Sequence, residues 1–103
     1  MASPMKIRAR MNGDAAQIRI LAVHPMETGL RKDGAGKPIP AHYVQTLTVD
    51  VAGKRVARYE VGTSVSKNPL FGFRVRGVKA GDKVVASWVD NKGDTRTDEA
   101  VIE

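Results

Sequence analysis

Apolar and polar residues alternate with a period of two in one stretch after another of this 103-residue chain, and no window carries a helical stripe. In "MKIRARM", Met5–Met11, one face would hold Met5, Ile7, Ala9 and Met11 and the other Lys6, Arg8 and Arg10. "QIRILAV", Gln17–Val23, sets Ile18, Ile20 and Ala22 inward, but its other face mixes Arg19 with Leu21 and Val23. Such a mixed face suits a strand in the middle of a sheet or under a partner. "HYVQTLTVDV" (His42–Val51) places Tyr43, Leu47, Val49 and Val51 together, and "KRVARYEV" (Lys54–Val61) alternates Ala57, Tyr59 and Val61 with charges. "LFGFRVRG" (Leu70–Gly77), "KVVASWVD" (Lys83–Asp90) and "TRTDEAVIE" (Thr95–Glu103) complete the series.

Turn formers separate these segments: Asn12-Gly13-Asp14, Ala52-Gly53 and Asn91-Lys92-Gly93-Asp94. About seven short strands at regular spacing predict an all-β fold, an immunoglobulin-like β-sandwich in a single domain over residues 1–103. With no cysteine, and with the only tryptophan, Trp88, in the sixth strand, the antibody signature is missing. A fibronectin III-like sandwich fits better. A chain of this size buries roughly 65% of the surface its unfolded form exposes, so it needs no metal or disulfide to fold.

One stretch breaks the pattern. "HPMETGLRKDGAGKPIPAH", His24–His42, is long and charged, with no apolar period of its own. Loops beyond about 12–15 residues are uncommon in compact domains and usually carry function or stay disordered. A second polar loop, "GTSVSKNP", spans Gly62–Pro69.

Chemistry is thin. Without cysteine there is no thiol nucleophile, iron–sulfur cluster or zinc ribbon. Ser64, Ser66 and Ser87 sit in no nucleophile elbow. Gly34-Ala35-Gly36-Lys37 lacks the spacing of a phosphate loop. His24, Glu27 and His42 are the best metal candidates, but nothing in the sequence brings them together, and no catalytic, cofactor or metal residue is assigned.

Seventeen Lys and Arg against eleven Asp and Glu give a net charge of +6, which favours acidic partners. Arg8, Arg10, Arg19, Arg58, Arg74 and Arg76 alternate with apolar residues on several strands. They read either as solvated faces with edge protection or as an electropositive face that docks an acidic partner. Phe71-Gly72-Phe73 has a fragment of the RNA-binding sheet motif, and with the charge it leaves single-stranded nucleic acid as an alternative. The basic residue and glycine of that motif are replaced by Pro69-Leu70, however, and core packing is the better reading of both phenylalanines. The N-terminal "MASPMKIRAR" has no apolar h-region, so no secretory signal is expected there. The longest aliphatic run, Ile20–Val23, cannot span a membrane.

The loops carry a resemblance. "HPMETGLRKD", "IPAH", "VSKNP", "KAGDK" and "WVDNKGDTRTDE" occur in an order similar to the SoxZ family of thiosulfate-oxidation carrier subunits, from about Met5 to the C-terminus. The resemblance implies an immunoglobulin-like sandwich without catalysis or cofactor, paired with a SoxY-type subunit. That partner's C-terminal cysteine, on a glycine-rich arm, holds the sulfur intermediates while other Sox enzymes act on them. It also implies a periplasmic location by co-export with the partner, with no nucleic acid or membrane as ligand. An interface left without its partner is open to homodimer formation. In this reading His24, Met26, Glu27, Thr28, Arg31 and Lys32, with Ser66, Lys67, Asn68 and Pro69, form the recognition surfaces, Met26 as an apolar anchor.

Overall fold

The computed structural model describes residues 3–63 and 65–103; residues 1 and 2 and Ser64, one of the hydroxyls weighed above, lie outside them. Seven strands appear in chain order: β1 (Lys6–Asn12), β2 (Ala15–Leu21), β3 (Val44–Val51), β4 (Lys54–Glu60), β5 (Leu70–Arg76), β6 (Lys83–Asp90) and β7 (Thr95–Val101). They form two antiparallel sheets, one of three strands ordered β1-β2-β5 and one of four ordered β4-β3-β6-β7. The expected all-β sandwich is what the chain builds.

Between the sheets lie the residues that alternation set inward. Ile18 and Ile20 of β2, Leu47 and Val49 of β3, and Val84 and Ala86 of β6 are wholly buried. Each large aliphatic among them stabilises the fold by roughly 1.5–3 kcal/mol. Phe71 is buried and Phe73 half-buried, with Tyr59 packed against them at ring-centroid distances of 4.9 and 6.3 Å. Both phenylalanines belong to the core side, so no aromatic stacking platform exists on β5.

Alternation misplaces one residue, and a bulge explains it. The β3–β6 register shifts between Val44 and Thr46, so Gln45 is an extra residue on its strand. The phase flips there: Val44 is fully buried and Tyr43 only partly, the reverse of the simple reading. A second shift, between Val49 and Asp50 opposite β4, bulges that strand at Val56.

The chain end ties the sheets together. Ile102 is buried after β7, and Glu103 exchanges two backbone hydrogen bonds with β1, from Met11 N–H (2.8 Å) and to the Ala9 carbonyl (2.9 Å). At the opening of β1, the Met5 amide donates to the Asp98 carboxylate of β7 at 2.8 Å. Arg96 grips the same carboxylate through Nε and Nη2, at 2.9 and 2.7 Å.

Candidate functional site

The long loop between β2 and β3 is ordered, and its order starts at a buried aspartate. Asp90 closes β6 on the inward phase set by Val84, Ala86 and Trp88, so its carboxylate enters the end of the core. There it is 1% exposed and meets both histidines that bracket the loop. His24 Nε2 lies 3.1 Å and His42 Nε2 2.7 Å from Asp90 Oδ2. The other oxygen, Oδ1, accepts the backbone N–H groups of Lys92 (3.0 Å) and Asp94 (2.9 Å), which shapes the β6–β7 turn. Burial pushes the Asp90 carboxyl up, but the two imidazoles and two amides outweigh it and hold the group below its usual 3.8.

His24, 3% exposed, is fully engaged. The Met26 amide donates to its Nδ1 at 3.1 Å, so Nδ1 must be the bare nitrogen and Nε2 carries the proton given to Asp90. Its ring packs edge-on against His42 (centroids 4.5 Å apart) and Trp88 (5.1 Å). Its backbone pairs with Asn68 of the second loop: His24 N–H donates to Asn68 Oδ1, and Asn68 N–H to the His24 carbonyl, both at 3.0 Å. Asn68 takes this position with a positive φ of 52°. One buried histidine therefore joins the long loop, the second loop and the β6–β7 turn.

The three side chains His24, His42 and Asp90 place one donor atom each within 4.8 Å of the others. A metal here would need the Nε2 lone pair of His24, with the ring proton moved to Nδ1. That shift would strand the Met26 amide in the interior, so the donor set fits a hydrogen-bonded latch and not a cation. Glu27, paired with His24 as a metal candidate from sequence, is elsewhere: its carboxylate faces Arg31, with contacts of 2.9 and 2.5 Å, and that guanidinium lowers its pKa.

Beyond the latch the loop becomes a two-stranded arm. Glu27 and His42 exchange backbone hydrogen bonds (2.6 and 2.9 Å), and Ile39 N–H donates to the Arg31 carbonyl at 2.8 Å. At the tip, Asp33 caps the turn by accepting the amides of Ala35 and Lys37. Gly29, at φ +87°, is required where the arm's two sides touch: a Cβ there would sit 3.2 Å from that of Ala41. Leu30 through Pro38 are all exposed, Leu30 by 87%.

These placements sort the residues singled out from sequence. Met26, Glu27, Thr28, Arg31, Ser66 and Lys67 line one open cleft of about 430 Å³, so the two polar loops do form a common surface. His24, Lys67 and Asn68 border a second cleft of about 410 Å³, with His42, Trp88 and Asp90. Lys32 stands on the arm, opposite Pro38. Met26, expected as an apolar anchor, packs into the core: it is 5% exposed, with φ +51°, and its sulfur accepts the Val44 amide at 3.4 Å. Pro69 is likewise buried, its carbonyl accepting the Ala22 amide at 3.0 Å. Sequence reasoning missed Asp90, although its inward phase on β6 was a readable sign.

The fold recurs in solved structures. A hypothetical protein, PH1083, from Pyrococcus horikoshii OT3 superimposes with a TM-score of 0.71 at 18% identity, over 99% of this chain and 89% of that one. A superoxide reductase in its oxidised state does so with a TM-score of 0.66 at 17% identity, over 96% and 86%. At such identities the likeness concerns the fold alone. No curated protein matches the chain. A family model does, that of the sulphur oxidation protein SoxZ, over residues 5–101, and the chain belongs to the SoxZ family.

Proposed function

We propose that this SoxZ family member, a sulfur-oxidation subunit, is the non-catalytic half of a heterodimeric sulfur carrier in thiosulfate oxidation. In this reading the chain scaffolds a SoxY-type subunit, whose C-terminal cysteine holds the sulfur adduct while other Sox enzymes process it. The observation that carries the proposal is the family match over nearly the whole chain. Three features agree with it. The chain has no cysteine to carry sulfur itself. Its buried histidine–aspartate cluster is consumed in holding loops. The arm presents an exposed leucine beside Arg31 and Lys32, a combination suited to recognising another protein. The periplasm, reached by co-export with the partner, is part of the same proposal.

The experiment is affinity co-purification of the tagged chain from its native host grown on thiosulfate, with mass spectrometry of what is recovered. A one-to-one partner ending in a glycine-flanked cysteine is the expected result. Recovery of the chain alone while the Sox proteins are expressed would refute the carrier role.

A further inference from the structure

None of the eleven acidic residues lies on β1, β2 or β5, yet these strands carry Lys6, Arg8, Arg10, Arg19, Arg74 and Arg76. Those six cations equal the whole net charge; the remaining eleven Lys and Arg are matched by the eleven Asp and Glu. The surplus charge of the molecule thus resides on the three-stranded sheet. Register and exposure place all six on its outer face.

Pairing follows the same division. Off this sheet every arginine has a carboxylate: Arg31 with Glu27, Arg55 with Asp50, Arg58 with Glu60, Arg96 with Asp98. Arg58, grouped from sequence with the basic strands, is therefore corrected to the opposite sheet and neutralised. On the three-stranded sheet, Arg8, Arg10, Arg19 and Arg74 have no carboxylate within 4.0 Å among the described residues, and Arg76 has only an exposed Asp14 at 3.7 Å. Arg8 stands directly opposite Arg19. Like charges so placed destabilise a strand pair. Protection of sheet edges does not explain Arg19, which sits on β2, the central strand.

We propose that the outer face of β1-β2-β5 is a docking surface for an acidic segment of another protein. The cations span roughly 20 Å along the strands and about 10 Å across them, more than one sulfate-sized anion can neutralise. Five of the six are arginines, whose planar forks match carboxylates in bidentate fashion. Arg8, Arg10, Gln17 and Arg19 line a cleft of about 260 Å³ on this face, and Gly72 opposite Arg19 leaves the floor beside it without a side chain. Leu70, largely exposed, and Leu21 beside it close one end of the array with an apolar step. Nucleic acid fits less well: Phe71 and Phe73 face the other way, so no base has an aromatic to stack on. This surface is distinct from the arm, and its charge does not depend on the carrier reading.

The test titrates the full chain with a labelled deca-glutamate peptide at about 100 mM salt. Arg8→Gln with Arg19→Gln is compared with Arg55→Gln with Arg58→Gln, which removes the same net charge from the other sheet; Arg74→Gln is the reserve variant should the first pair not fold. The expected result is at least a tenfold loss of peptide affinity for the first pair, and less than twofold for the second. Equal losses, no binding by the unaltered chain, displacement of the peptide by millimolar sulfate, or tighter binding of a ten-nucleotide single-stranded DNA would each overturn the proposal.

Discussion

The long loop has two halves built on opposite terms. Its base is buried: His24 and His42 converge on Asp90, and every polar atom of that carboxylate has a partner. Its arm is exposed from Leu30 to Pro38 and held by a short ladder of backbone hydrogen bonds with an ion pair beside it. Polar groups in the base lost water on folding and need one another, whereas those in the arm kept it. The base should therefore govern stability and the arm recognition, even though they are neighbours in sequence and similar in composition.

The sharpest way to break that division is at Asp90. Replacing Asp90 by Ala would leave two imidazoles and the amides of Lys92 and Asp94 without their acceptor. Removing one partner from a buried charged network costs about 3–5 kcal/mol. Urea denaturation of Asp90→Ala should show a loss of that order; a loss under about 1 kcal/mol would mean that the base is not the stabilising half. Asp90→Asn keeps one acceptor and should fall between the two.

Acid should reproduce the effect from the other direction. The Asp90 carboxyl is held below 3.8 in the folded chain, as is that of Asp98, which Arg96 and the Met5 amide hold down. Between the folded and unfolded values the unfolded chain binds more protons. The stability these groups provide is therefore complete above about pH 4 and lost as pH falls through the folded values. The gap in stability between the unaltered chain and Asp90→Asn should narrow as pH falls below about 4. A gap that persists at pH 2 would argue against a depressed carboxyl.

How much of this was readable beforehand follows from the physics of each part. The strands that bury a face were legible because burial writes itself as alternation; β7, with no buried residue, was legible from the turn formers before it. Val44 was not, because the bulge at Gln45 depends on pairing with β6, distant in sequence. The arm was read only as a long charged loop, since a ladder of backbone bonds at Glu27–His42 and Arg31–Ile39 leaves no side-chain period. The latch joins His24 to a residue 66 positions away, which no local pattern reports. The cations of β1, β2 and β5 were visible singly, but that Arg8, Arg10, Arg19 and Arg74 have no carboxylate within 4.0 Å among the described residues, and Arg76 only Asp14, emerged only when the sheets were assembled.

A smaller effect should separate the halves at their seam. Gly29→Ala would force a side chain into φ +87° and press its Cβ to 3.2 Å from that of Ala41. The expected cost is about 1 kcal/mol, confined to the arm. Amide exchange at Glu27 and His42, which pair across the seam, should quicken while that of core β2 stays unchanged. Equal acceleration in β2 would show that arm and sandwich unfold as one unit.

The smallest effect on stability is expected at the arm itself, and there the comparison becomes a statement about function. Arg31 and Lys32 are exposed, and the bond from Arg31 to Glu27 is formed in water, where such pairs contribute little. Arg31→Ala with Lys32→Ala should leave the denaturation midpoint within error of the unaltered chain. If the arm recognises a partner, the same variant, and Leu30→Asp beside it, should recover less of that partner in co-purification. Partner recovery is the decisive reading, because a stability defect cannot cause the loss in a variant that is as stable as the original. Full recovery with both variants would remove the arm from recognition. The proposed carrier interface would then lie on the second loop or the sheets, with the hydroxyl-rich cleft of Thr46, Thr48, Ser87 and Thr97 a natural place to look.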